Sequence, residues 1–444
     1  MTTSEYTYNN STHFSSGKGF LTLFALQFLF VVATIYADVK LGMVTLSFTL
    51  LIAIIILIRR SNDEYTDWSR CKNGMLYLYL IWGIFCLVEI ANPNSVQAAW
   101  NMAIPHHLIY PLILAIIVPL SIRNIKGINI LLIIWSIFIL IASLKGYWQK
   151  SYGFSQRDFY FLYELGGYKT HVIWSGIRYF SCLGNAANYG VHSAMAIVVF
   201  GISLFYIKNL WLKIYFAFIV ILAIYGMGIS GTRAALAVPI SGLGLFVILS
   251  RNWKGVLFSV LALMTLFIFF RFTNIGEGNE YIRKMRSAFN PTEDASYQAR
   301  VYNREQMKEL LKTKPIGYGL GLAKGERFQP KEVMPYPPDS WLVNVWIETG
   351  IIGLVIYLLV HGVLFAWCSW ILMFKIMNKQ LRGLLAAWLC MSAGFFAAAY
   401  ANDVMQYPSI IVIYTAFALC FSGPYIDKDI KEETEKKNKQ HKHE

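Results

Sequence analysis

Apolar residues run along most of this chain in blocks of about 20, and that pattern decides what the chain can become. About 20 residues of α-helix cross the hydrocarbon core of a bilayer. Within it only helices or closed barrels satisfy every backbone N–H and C=O. Twelve blocks can be read, at 20–37, 41–58, 75–91, 105–122, 127–144, 187–207, 212–229, 234–249, 255–272, 350–374, 383–401 and 407–424. Composition agrees: 56% of residues are hydrophobic and 14% charged, where a soluble domain carries about 25% charged. A soluble enzyme, a disordered chain and a disulfide scaffold are excluded. The expected fold is an all-α polytopic membrane protein of about twelve transmembrane helices, with a large extracytoplasmic loop that contains short helices.

The net charge of +14 would point to nucleic acid in a soluble chain. Here the positive residues sit between blocks, so membrane orientation explains most of them and no nucleic-acid partner is expected. Alternate linkers carry thirteen Lys and Arg, from Arg59 and Arg60 to Arg382, whereas the four short linkers opposite carry only Lys40 and Arg233. The positive-inside bias places both termini in the cytoplasm. Residues 1–19 read as a cytoplasmic tail rather than a signal peptide, because they lack a basic region and a small-residue cleavage site. Helices one to five occupy 20–144, six to nine 187–272, and ten to twelve 350–424. A basic tail at 425–444 reads as disordered and as a contact for anionic lipid. Cys86, Cys368, Cys390 and Cys420 lie inside blocks, and Cys71 and Cys182 fall on opposite sides, so no structural disulfide is expected. The histidines, His106, His107, His171, His192 and His361 among them, show no metal-ligand spacing, and His441 and His443 are tail residues.

Two outer linkers, 145–186 and 273–349, exceed ordinary loop length and are candidates for function. The second should hold a helix from Ser296 to Lys314, with Glu305/Lys308 and Glu309/Lys312 at i, i+3 and Pro315 beyond its end. Gly317, Gly319 and Gly321 follow, then Pro335, Pro337 and Pro338. Gly317-Tyr-Gly-Leu-Gly does not follow a strand, so it is not a nucleotide fingerprint.

Charges that break the pattern mark the outer face. Arg178 precedes block six, Ser230-Gly231-Thr232-Arg233 opens block eight, and Pro337-Pro338-Asp339-Ser340-Trp341 approaches block ten. Each of these helices runs inward, so each turns its N-terminus outward, where free N–H groups and about half a positive charge favour phosphate. With the forked donors of Arg178 and Arg233, a pyrophosphate clamp is expected. The bland readings are that Arg233 snorkels to headgroups and Arg178 is an ordinary loop cation. Asp339 could simply cap a helix, Arg300 and Arg304 could form a solvated face, and Glu89 could be a satisfied interfacial carboxylate. Glu348, before Thr349-Gly350, reads first as a helix-end or re-entrant residue. Arg300 and Glu348 are kept as additional site candidates.

These motifs, in this order and sidedness, resemble the O-antigen ligase and polymerase superfamily of bacterial envelopes (WaaL-like and Wzy-like proteins). The resemblance rests on Arg178 before Gly-Asn-Ala-Ala-Asn, Ser-Gly-Thr-Arg233, and an outer loop with Ser296 to Arg300, Gly317-Tyr-Gly-Leu-Gly and Pro-Pro-Asp-Ser-Trp leading into Glu348-Thr-Gly-Ile-Ile-Gly-Leu. It spans roughly Trp174 to Leu358 in motif. It implies a multi-pass glycosyltransferase of the bacterial inner membrane with a periplasm-facing site. Such an enzyme moves a glycan from undecaprenyl pyrophosphate to a sugar hydroxyl on an acceptor glycan or lipid A core, without nucleotide sugar, cofactor or essential metal. By matching position, Arg178 and Arg233 would hold the pyrophosphate, with Arg233 also stabilising the leaving group. Asp339 stands where the family usually has a catalytic His. A sugar hydroxyl needs a base within ~2.6–3.2 Å, and a carboxylate can serve, with direct displacement and inversion at the anomeric carbon as the expected course.

A polymerase shares the donor and differs in the acceptor. Its signature, an Arg and a Gly with ten residues between them, is not cleanly present, since eleven lie between Arg178 and Gly190, one position late, which favours the ligase. A lipid-linked oligosaccharide flippase would need charges deep within the helices and, as an inverted-repeat transporter, internal symmetry; neither is evident. A scaffold remains the third class. Topology is testable directly: cysteines introduced at 145–186 or 273–349 should label from outside intact spheroplasts, and those at 62–66 only after lysis. The reverse pattern would invert the assignment.

Overall fold

The computed structural model describes residues 3–38, 41–64, 66–173, 176–289 and 295–440; Lys40, Trp174, His441 and His443 lie outside the described residues. The long helices are α1 (Thr3–Tyr36), α2 (Gly42–Ser61), α3 (Gly74–Val88), α4 (Gln97–Ile104) continuing through a wide turn at Pro105–Ile109 into α5 (Tyr110–Ser121), and α6 (Ile125–Ser151). Short helices α7 (Gln156–Phe159) and α8 (Tyr168–His171) and a hairpin of β1 (Val172–Ile173) and β2 (Gly176–Ile177) follow. Then come α9 (Ala186–Ser203), α10 (Leu210–Ile229), α11 (Ala237–Leu249) and α12 (Trp253–Phe272). The second long loop holds α13 (Glu280–Arg286) and α14 (Ala295–Leu311), and the bundle closes with α15 (Trp341–Trp370), α16 (Lys379–Ala401) and α17 (Ile410–Gln440).

The chain is an all-α polytopic membrane protein. Among the described residues eleven helices are long and apolar enough to span a bilayer, and the eighth block, Arg233–Leu249, is a shorter apolar helix. It opens with a tight 3₁₀ turn, Arg233–Leu236, which delays the regular helix. It packs against α16 with backbones close together: a Cβ on Gly394 would lie 2.4 Å from the Val238 carbonyl, and one on Gly242 2.8 Å from that of Cys390. Small residues allow such approach where lipid supplies no hydrophobic drive. α9, α16 and α17 form the centre, and α12 lies at the periphery.

At the basic end, five helices begin on an asparagine. Asn73, Asn124, Asn209, Asn252 and Asn378 each accept a first-turn N–H, of Leu76, Gly127, Leu212, Lys254 and Gln380, satisfying donors that have no partner within the helix. The expected disordered tail is instead helix, since α17 continues past Pro424 to Gln440. Its acids tie it to the basic linkers. Asp429 takes both Nη groups of Arg70 at 2.8 and 2.7 Å, and Asp427 accepts the N–H groups of Met377 and Asn378 at 3.0 and 2.8 Å.

At the opposite end, block ten starts nine residues earlier than expected and breaks. α15 begins at Trp341, capped by Ser340, and is interrupted at Gly350 (φ 63°, ψ −166°). The break frees carbonyls that the glycine-rich run takes up: Tyr318 N–H donates to Ile347 O (2.8 Å) and Gly319 N–H to Glu348 O (2.9 Å), while Ile352 N–H turns to Pro315 O (3.2 Å). Asn94 holds the same run from the far side, donating Nδ2 to Tyr318 O at 2.8 Å. Met307, Leu311, Tyr318, Ala323, Met334, Val343 and Ile347 form a second small core, so this part of the loop is an ordered subdomain. A Cβ at Gly350 would stand 2.1 Å from Pro315 O. Gly350→Ala should therefore cost about 2–4 kcal/mol, read as a lower thermal midpoint in nanodiscs. Gly362→Ala, where a Cβ meets open space, is the neutral control.

Candidate active site

The β1–β2 hairpin delivers Arg178 to the turn between α10 and the short eighth helix. Its backbone N–H donates to His171 O at 2.8 Å. Its guanidinium then lies along the turn, with Nη2 donating to Thr232 Oγ1 (3.0 Å), Nε to Ser230 O (3.4 Å) and Nη1 to Thr170 O (3.3 Å). Thus Arg178 and the Ser-Gly-Thr-Arg segment, 52 or more residues apart in sequence, are brought together. Arg233, next along the turn, donates Nη1 to Ser287 Oγ at 3.3 Å.

Lys284 was not legible as part of this group. It projects from α13 to Gly231, where a Cβ would meet Lys284 Cδ at 3.3 Å and Arg178 Cγ at 3.5 Å. Its Nζ is buried with no hydrogen-bond partner among the described residues, and the Tyr281 ring centroid lies 5.7 Å away. Burial lowers the Lys284 ammonium below its ordinary value, Glu280 opposes this in part, and the charges of Arg178 and Arg283 add to it. Burial, then the charges of Arg233 and Arg300, likewise hold Arg178 down. A guanidinium stays protonated at neutral pH regardless. Partly buried like charges at close quarters are unfavourable unless an anion joins them.

Arg300 connects this cluster to Asp339. Arg304 grips Asp339 with a fork, Nε to Oδ1 at 3.3 Å and Nη2 to Oδ2 at 2.9 Å, and Arg300 Nε stands 3.9 Å from Oδ2. Both arginines are anchored at the end of α16, Arg304 on Tyr400 O (3.3 Å) and Arg300 on Ala401 O (3.0 Å), where a helix C-terminus favours cations. The solvated-face reading of Arg300 and Arg304 is therefore corrected: α14 turns them onto a carboxylate that is 12% exposed. The helix-cap reading of Asp339 is corrected too, because Ser340 caps α15 by accepting from Val343 N–H.

Another correction concerns the helix N-termini, which do not offer free donors at the positions seen. Ala186 N–H donates to His171 Nε2 (3.1 Å) and Ala187 N–H to Asn185 Oδ1 (2.7 Å). Gly231 N–H goes to Gly228 O (3.1 Å) and Thr232 N–H to Ser230 Oγ (3.2 Å). The charge at this turn is therefore carried by the side chains of Arg178, Arg233 and Lys284. Glu348 is engaged elsewhere: its Oε1 accepts Ala323 N–H at 3.4 Å and its Oε2 lies 3.8 Å from His107 Nε2, which makes it a strut of the glycine-rich run. Glu89 accepts from Asn92 Nδ2 at 3.1 Å and is a satisfied carboxylate.

Residues 218–358 match the family model described as O-antigen ligase. The match supports the O-antigen ligase and polymerase superfamily; it takes in Arg233, Lys284, Arg300, Arg304, Asp339 and Gly350, and Arg178 lies outside it. Members of that family are glycosyltransferase-like enzymes that handle lipid-linked glycans and glycan acceptors. No curated protein matches the chain.

His171 links helix capping to the position of Arg178. Its Nδ1 is 2.9 Å from Gly167 O, which leaves Nε2 to accept from Ala186 only while the ring is neutral. Burial lowers its pKa from 6.5, the Gly167 carbonyl opposes, and the Arg178 charge adds to the lowering. A depressed folded value means the stabilisation is present above about pH 6.5 and is lost as pH falls through the folded value. His171→Ala should cost about 1 kcal/mol at pH 7.5, and the gap in thermal midpoint from wild type should narrow towards pH 5.

Proposed function

We propose that this chain transfers a glycan from undecaprenyl pyrophosphate to a sugar hydroxyl at the periplasmic face of the bacterial inner membrane, as an O-antigen ligase. The observation that carries the proposal is the convergence of Arg178, Arg233 and Lys284 on one turn, with Arg300 leading from them to Asp339. The pyrophosphate lies on the three cations, which supply the charge that a bound metal supplies in other transferases. As the anomeric C1–O bond lengthens, negative charge gathers on the leaving pyrophosphate. Cations already in place stabilise it without reorganisation.

Asp339 accepts the proton of the attacking hydroxyl. Arg304 fixes the carboxylate by both oxygens, and each carboxylate oxygen has a second lone pair for the acceptor. The new C–O bond forms opposite the leaving group, the proton passes to Asp339, and the pyrophosphate departs on the lipid. A polymerase would use the same donor site with a lipid-linked acceptor. A flippase needs its charges along a path through the bundle, and the cluster at one end disfavours it.

Arg233→Lys should lower turnover by about a hundredfold or more, because a point charge does not replace a planar fork. A scaffold would tolerate the change at equal expression. Gene deletion separates the remaining readings: long chains accumulating on the carrier mean a ligase, single repeat units a polymerase. Neither accumulating would refute transfer.

A further inference from the structure

α14 also forms one wall of a cleft beside the ion pair. Arg300, Arg304, Glu305 and Lys308 face Trp346 and Tyr400 across a cleft of about 410 Å³, within the range of about 300–1,000 Å³ typical of small-ligand sites. The cleft and the Asp339 ion pair share Arg300 and Arg304. Trp346 is half-buried and packs on the second core, so its ring is fixed, while the Tyr400 ring lies 5.2 Å beneath Arg304 Cζ. Trp and Tyr offer an apolar face with a polar edge, which suits the C–H face and hydroxyl rim of a pyranose.

We propose that this cleft is the acceptor subsite and that it selects an acidic sugar; the assignment rests on the transferase reading above. Three cations and one carboxylate line the cleft. Arg304 is committed to Asp339, and Arg300 to Asp339 and the Ala401 carbonyl. Lys308 is exposed at the rim and carries its charge towards whatever enters. It stands one turn beyond Arg304, about 6 Å along the helix axis. A single pyranose ring bridges that span, with its carboxylate on Lys308 and a hydroxyl across the ring directed at Asp339. A neutral sugar would gain the aromatic contact and leave Lys308 to solvent.

The test uses full-length protein in nanodiscs and saturation-transfer NMR, with methyl β-D-glucuronide and methyl β-D-glucoside as probes and no donor present. Wild type should bind the glucuronide about fivefold more tightly, the size of a rim ion pair, and Lys308→Gln should abolish the preference. Trp346→Ala should weaken both sugars; should that variant misfold, Tyr400→Ala, at a 61% exposed position, reports on the same contact. Equal binding of the two sugars by wild type overturns the acidic class. Unchanged binding in both Lys308→Gln and Tyr400→Ala overturns the location. Absence of sugar binding overturns this assignment alone, because no donor is involved. Binding by a protein whose deletion leaves no glycan on the carrier overturns the acceptor role through the reading beneath it.

Discussion

A helix that breaks must find partners for the carbonyls it frees, and the break at Gly350 organises the loop end of this protein. Lipid offers no hydrogen bonds, so the carbonyls of Ile347 and Glu348 recruit the N–H groups of Tyr318 and Gly319. Gly317 and Gly350, both at positive φ, let the two backbones meet. That junction fixes the far end of α14, and the second core of Met307, Leu311 and Val343 fixes its rotation. Arg300 and Arg304 consequently face the end of α16 and Asp339. The position of the candidate base thus follows from backbone hydrogen bonding some distance away.

The charge arrangement is the complementary constraint. Arg178, Arg233 and Lys284 gather at one turn, and the described structure places Asp339 beyond them, already held by Arg304. Folding brings like charges together and leaves the Lys284 ammonium buried without a hydrogen-bond acceptor among the described residues. Such an arrangement costs stability and makes functional sense where the charge meets an anion that arrives and leaves. The side chains are held in place: Arg178 by Thr170, Ser230 and Thr232, Arg233 by Ser287. Stabilising a developing negative charge requires preorganisation of this kind.

The helices were legible because the apolar blocks have bilayer length, and the cationic site because Arg233 breaks a one-sided charge pattern. What stayed hidden depends on contacts across the chain. A lysine in a polar loop, like Lys284, looks solvated until α13 is folded onto Gly231. Arg304 reads as helix surface, since its partner Asp339 lies 35 residues away. The tail looked disordered because its lysines dominate the composition, whereas Asp427 and Asp429 have partners in linkers far upstream. The helix N-termini looked like phosphate sites, but His171 and Asn185 had already claimed their donors, and nothing local announces a cap supplied 15 residues earlier. The family resemblance supplied Asp339, which spacing alone read as a cap.

Direct binding of a pyrophosphate lipid tests the central claim most simply. Farnesyl pyrophosphate, titrated into the protein in nanodiscs, should bind wild type, and Arg178→Gln should weaken it by about tenfold or more, the weight of a charge-assisted hydrogen bond. Farnesyl alcohol should show no such difference. Equal affinity of wild type and variant for the pyrophosphate would contradict the account, because the cluster on the Ser230–Thr232 turn would then have no anion to hold.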